Sequence, residues 1–127
     1  MNLHRSILET IDQKQLDDVE KFADRMFAKI GIDVSFTRHF IERMNDDRNG
    51  KPVSSAELIR VFKKEYEKYG KDVKTLDDHI EAVFMDLSSD LNLPFVIRDR
   101  KDEKELIAKT IMRKPEFKTN DPTYKVQ

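Results

Sequence analysis

The chain has 127 residues, the size of one domain with room for a hydrophobic core that needs no staples. Its 24 basic and 25 acidic residues nearly cancel to a formal net charge of −1, so any contact with nucleic acid has to come from a local basic patch. No cysteine is present, which excludes disulfides and thiolate metal sites; no apolar run approaches the roughly 20 residues that span a bilayer, and Met1-Asn2-Leu3-His4-Arg5-Ser6 leads into no run of signal-peptide length, so a soluble intracellular protein without membrane contact is expected.

Leu3, Ile7, Leu8 and Ile11 make a short helical pattern, readable as a separate first helix, the start of a longer one or a loose arm. From Leu16 to Ile30 the apolar residues recur at steps of three and four, and Gly31 stands just beyond as a stop, so an amphipathic helix is predicted. The pattern resumes with Phe36, Phe40 and Met44, which predicts a short helix over 36–46 with Asp33 or Ser35 as its cap. Turn chemistry follows in Asn45-Asp46-Asp47-Arg48-Asn49-Gly50-Lys51-Pro52. Ser54 and Glu57 then have capping-box spacing, with Val53 and Leu58 set for a hydrophobic staple, and the helix they open is expected to end near Gly70.

Beyond Gly70 the apolar residues alternate, and strands are predicted over 81–87, 93–98 and 104–112, with a short fourth at Tyr124-Lys125-Val126. Pro94 lacks an amide donor and belongs at a strand start or edge. The expected fold is α+β: two to three N-terminal helices, then a three- to four-stranded antiparallel sheet, with helices on one face. A single domain over 1–127 is expected.

Two segments place charge beside residues that should be buried. On the first, His39 and Arg43 are four residues apart, share a helix face and flank the Phe36-Phe40-Met44 stripe. A histidine can move a proton near neutral pH and an arginine offers a fixed fork of donors to a phosphate. The same residues also fit a purely structural account, in which Arg38 pairs with Glu42, Arg43 with Asp47, and His39 lies on the surface. On the second, period two puts Lys109, Ile111 and Arg113 on one strand face and Ala108, Thr110 and Met112 on the other, a positive stripe for one phosphate or a solvated face with edge lysines. His4 and His79 carry less. Asp77-Asp78-His79-Glu81 contains ligand types in no zinc or calcium spacing, so no metal site is expected; no phosphate-cradling glycine loop is present, and no cofactor is implied.

Taken together, Asp33 to Arg43, Asn45-Asp46-Asp47-Arg48-Asn49, Ser55-Ala56-Glu57-Leu58, Asp90 to Val96, Ala108 to Lys114 and Phe117-Lys118-Thr119 resemble small tailed-phage proteins of the barnase-EndoU-colicin-RelE-like nuclease superfamily. The resemblance covers roughly 32–127 as a nuclease-like α+β core and leaves 1–31 as a helical extension. It implies a site between the histidine helix and the late strands and metal-independent RNA cleavage, in which the ribose 2′-hydroxyl attacks the adjacent phosphate. His39 would be the base or acid, Arg43 and Arg113 the phosphate clamps, and Lys109 or Thr110 a supporting donor; Arg38, Lys109, Lys114 and Lys118 would bind the nucleic acid.

Two classes of function stay open on these residues. One is an RNA endonuclease acting in the host cytoplasm or carried in the virion. The other is a non-catalytic phage virion or assembly protein that uses the same fold to bind a protein partner or packaged nucleic acid. Binding to the ribosome without cutting is a third reading, and would need a larger basic face.

Overall fold

The computed structural model describes residues 13–46, 50–101 and 103–127. The pattern Leu3, Ile7, Leu8 and Ile11, together with His4, Asp47, Arg48, Asn49 and Asp102, lies outside them. Three helices, α1 (Gln13–Ala28), α2 (Arg38–Met44) and α3 (Ser55–Lys74), pack on a mixed sheet of β1 (Ile32–Phe36), β2 (Glu81–Asp86), β3 (Leu91–Arg100), β4 (Glu103–Ala108), β5 (Met112–Arg113) and β6 (Thr123–Val126). The class is α+β.

The strand order is β1-β4-β3-β2-β6, with β5 beside β3. The expected purely antiparallel meander is therefore too simple, because β1 joins β4 and β6 joins β2 in parallel, and the sheet has six strands rather than three or four. Only the central β2, β3 and β4 form the meander read from the pattern.

The predicted 36–46 helix is also corrected at its start. Ile32, Val34 and Phe36 alternate with Asp33 and Ser35, and this stretch pairs with β4 from Ile32 opposite Lys104 to Phe36 opposite Ala108. The helix begins only at Arg38, capped by Thr37, whose Oγ1 accepts from the Phe40 amide at 3.0 Å. The other side of β1 is covered by α1: Asp24 accepts from the Val34 amide and Glu20 from the Phe36 amide, both at 2.8 Å. Side-chain carboxylates thus satisfy a strand edge that would otherwise offer its donors to another chain.

The Ser54 capping box forms as its spacing predicts, with the Glu57 amide donating to Ser54 Oγ at 3.1 Å and the Ser54 amide to Glu57 Oε1 at 3.2 Å. The helix does not stop at Gly70. It runs one more turn to Lys74 because Val73 continues the buried stripe of Leu58, Val61 and Phe62. Pro94 lies inside β3, not at its start or edge. It is tolerated there because its carbonyl accepts from the Lys109 amide at 2.9 Å, where β4 has ended and β5 has not begun, so its missing donor faces a break in the ladder.

One core fills the space between helices and sheet. Leu16, Val19, Ala23 and Phe27 of α1 meet Ile32, Phe62, Phe84, Phe95 and Leu106 there, so α1 is integral to the core and not an appendage. An aromatic chain ties α2 into it: Phe36 stacks on Phe40 at 4.5 Å between centroids and on Phe62 at 5.7 Å, and Phe62 meets Phe84 edge-on. The back face of the sheet is crossed by the stretch between β5 and β6. No described helix is long and apolar enough to cross a membrane.

Candidate functional site

The histidine helix and the late strand segment come together. His39, Arg43 and Asp46 from α2 and its end face Thr110, Ile111, Met112, Arg113 and Lys114 across a cleft of about 470 Å³. The predicted strand over 104–112 breaks after Ala108, and the chain bends through Lys109 to Ile111 before β5. Thr37 fixes this bend against α2, since its Oγ1 donates to the Lys109 carbonyl at 2.8 Å. Ile111 is buried beneath, and Asn92 holds the far side by donating to the carbonyls of Asp90, Met112 and Lys114. Side-chain hydrogen bonds to backbone carbonyls therefore anchor the 109–114 wall of the cleft.

At its mouth, Arg43 Nε donates to His39 Nε2 at 3.3 Å and Arg43 Nη1 to Asp46 Oδ2 at 2.9 Å. Nε2 is an acceptor in this arrangement, which leaves the imidazole proton on Nδ1. Arg43 pairs with Asp46, three residues on and within one helical turn, while the expected pair with Asp47 lies outside the described residues.

Arg113 lines the cleft but is locked. Its Nη1 donates to Glu57 Oε2 at 2.9 Å and to the Ser89 carbonyl at 3.0 Å; its Nη2 donates to Glu57 Oε1 at 3.1 Å and to the Pro52 carbonyl at 3.2 Å. This bidentate pair joins β5 to the start of α3. Burial alone would raise the Glu57 carboxyl, but the hydrogen bonds from Arg113 and Ser54 and the charges of Arg113 and Lys51 outweigh it and hold the group below the ordinary glutamate value.

Three of the other cations lie elsewhere. Lys109 does not share a face with Arg113: it reaches Glu81 on the back of the sheet, whereas Arg113 turns toward the helices. The bend at 109–111 is the reason, because it interrupts the period-two alternation. Arg38 is almost wholly exposed and pairs with Glu42 at 3.2 Å, as the structural account has it. Lys118 lines a separate concavity behind the sheet. Lys114 alone of the four expected nucleic-acid-binding cations lines the cleft.

Asp78 accepts from the Asp99 amide at 2.8 Å and lies 3.1 Å from His79 and 3.6 Å from Arg98, so that acidic run serves the turn before β2. Among the described residues no three potential metal ligands are gathered.

Sequence reasoning missed Asp46, Thr37 and the second role of Glu57. Asp46 was legible as an i,i+3 partner of Arg43. Glu57 was visible only as a capping residue, because its pairing with Arg113 spans 56 positions. Comparison with family models, with curated proteins and with solved structures finds no match to this chain.

Proposed function

We propose that this chain is a metal-independent RNA endonuclease of the barnase-EndoU-colicin-RelE-like kind, encoded by a tailed phage and acting in the host cytoplasm or from the virion. The observation that carries the reading is the meeting of His39 and Arg43 with the 110–114 segment in one cleft. A proton-transfer group and a guanidinium in mutual contact are the minimum that ribose-assisted cleavage needs.

A phosphate entering the cleft takes the Arg43 donor that now rests on His39 Nε2. That exchange frees the imidazole lone pair at the moment the substrate arrives. His39 then removes the proton of the 2′-hydroxyl, the 2′-oxygen forms a bond to phosphorus, and the bond to the 5′-oxygen breaks. The leaving oxygen takes a proton from the Lys114 ammonium or from solvent, and a 2′,3′-cyclic phosphate remains. Arg43 and Lys114 stabilise the crowded phosphorane, and Thr110 can donate to an equatorial oxygen. Arg113 holds the wall in this scheme, since its Nη donors are engaged by Glu57, Ser89 and Pro52.

A second reading is favoured by the charge pairing itself. Arg38, Lys109 and Arg113 are each matched by a carboxylate, which suits a virion or assembly protein that binds a protein partner without cutting. Incubation of the purified protein with mixed RNA in excess chelator separates the two. Cleavage that drops by about 10²- to 10⁴-fold in His39→Ala supports the enzyme. Intact RNA, with stoichiometric copies of the chain in purified particles, supports the second.

A further inference from the structure

Behind the sheet, on the face opposite the helices, lies a second concavity of about 530 Å³. Met85 of β2 lines it, with Thr123 and Lys125 of β6 beside it and the crossing stretch Phe117-Lys118-Thr119-Asn120 on its other side. Parallel register sets Thr123 beside Val83 and Lys125 beside Met85, while the alternate residue Tyr124 packs with Tyr69 of α3. The lining is unlike the rest of the surface. Although 25 of the 127 residues are Asp or Glu, no carboxylate lines this pocket, and among the described residues neither Lys118 nor Lys125 has an ion-pair partner.

One aromatic ring, two ammonium groups, two hydroxyls and one amide are the side-chain set that takes an unpaired nucleotide: a face for the base, cations for the phosphate, and neutral donors and acceptors for base or sugar edges. Thr119 Oγ1 accepts from the Asp121 amide at 3.1 Å, which tightens the crossing stretch and leaves the hydroxyl proton to donate. The pocket also continues from the cleft along the chain. Lys114 lines the cleft and Lys118 the pocket, four residues that span at most roughly 13 Å. A single strand can bridge that distance within a few nucleotides.

We propose that this pocket is a second subsite for single-stranded RNA, in which Phe117 stacks a base and Lys118 and Lys125 hold its phosphate. The choice of RNA rests on the reading of the cleft given above, so binding and cleavage are tested apart. The probe is a labelled, uncleavable 2′-O-methyl oligouridylate of about twelve nucleotides, within the site sizes of single-strand binders, followed by fluorescence anisotropy across a salt series.

Replacing Lys118 and Lys125 together by alanine is expected to weaken binding roughly tenfold or more and to lower the log–log salt slope by about 0.7, the share of one phosphate on a single strand. Phe117→Ala weakens it by a similar factor. Phe117→Trp keeps the affinity, and the emission of the introduced indole is quenched as the oligonucleotide binds, a signal that a merely structural role would not produce. Unchanged affinity and salt slope in the double-lysine variant, no quenching in Phe117→Trp, or equal affinity for duplex RNA would each overturn the subsite. If the His39 cleavage assay fails while the lysine and indole effects persist, the enzyme reading falls and the subsite stands.

Discussion

Pairing with carboxylates decides which cations of this chain a ligand can use. Arg113 and Glu57 show it most clearly, because their two parallel hydrogen bonds close a contact between β5 and the start of α3. Removing the arginine leaves Glu57 with only its cap, and Arg113→Ala is expected to lower stability at neutral pH by about 2 kcal/mol, the scale of hydrogen bonds to a charged group. The pH dependence has a definite sign. Glu57 titrates lower folded than unfolded, so its contribution is complete above the unfolded value and disappears as pH falls through the folded one. Urea melts between about pH 5 and pH 3 should therefore show a steeper loss in the wild type than in Arg113→Ala; parallel losses would detach the carboxyl from the arginine. His39 and Arg43 were legible because i,i+4 spacing is local. The Glu57 lock was not, since nothing local in the sequence links two residues on a helix and a distant strand.

At the scale of elements, the small helix α2 carries the cleft and depends on Thr37. That hydroxyl accepts from the Phe40 amide and donates to the Lys109 carbonyl, so it both caps the helix and ties it to the bend opposite. Thr37→Ala should cost about 1–2 kcal/mol, measured by urea unfolding, and should weaken RNA binding at the cleft as well; a normal melt would show the tie to be dispensable. In α3 the oddity is Glu65, fully buried on the face turned toward the sheet, with neither carboxyl oxygen matched to a clear donor. Burial first, and then the nearby Asp86 charge, push its carboxyl up to about 9, while Lys68 and the Met85 backbone oppose this only in part.

Glu65 is therefore protonated in the folded chain at neutral pH. Its folded value lies above its unfolded one, so its favourable contribution is complete below the ordinary glutamate range and is lost as pH rises toward about 9, at no more than about 1.4 kcal/mol per unit. Glu65→Met should flatten that fall and raise the melting temperature at pH 8; an unchanged or lower melting temperature would mean that the carboxyl has a partner. The helical stripes of α1 and α3 were plain in the sequence, and so was the capping box. Gly70 misled because glycine stops a helix only where the chain takes a left-handed turn, and here Val73 gains more by staying buried. The segment 32–36 misled because Phe36 fits both the period-two run behind it and the helical stripe ahead of it.

Over the whole molecule, the layering of helices on one sheet face followed from pattern alone, but the two parallel pairings did not. β1 meets β4 across some seventy residues, and β6 returns beside β2 after crossing the back of the sheet. Parallel neighbours need long connections that leave no local trace. That topology brings the 110–114 segment to α2 and carries 117–120 to the opposite face, so two concavities of different chemistry end up a few residues apart along the chain. A net charge of −1 gives no bulk attraction to a polyanion, so a nucleic-acid ligand would have to be held by a local set of cations. The proposed cut in the His39 cleft goes by way of the RNA's own 2′-hydroxyl. Its most direct test is digestion, in excess chelator, of an oligoribonucleotide and of the same oligonucleotide with a single 2′-deoxy substitution at the cut position. A 2′,3′-cyclic phosphate product is expected, abolished by the deoxy substitution and formed about 10²- to 10⁴-fold more slowly by His39→Ala; cleavage at the deoxy position, undiminished cleavage by His39→Ala, or no cleavage of the all-ribose strand would contradict that cut.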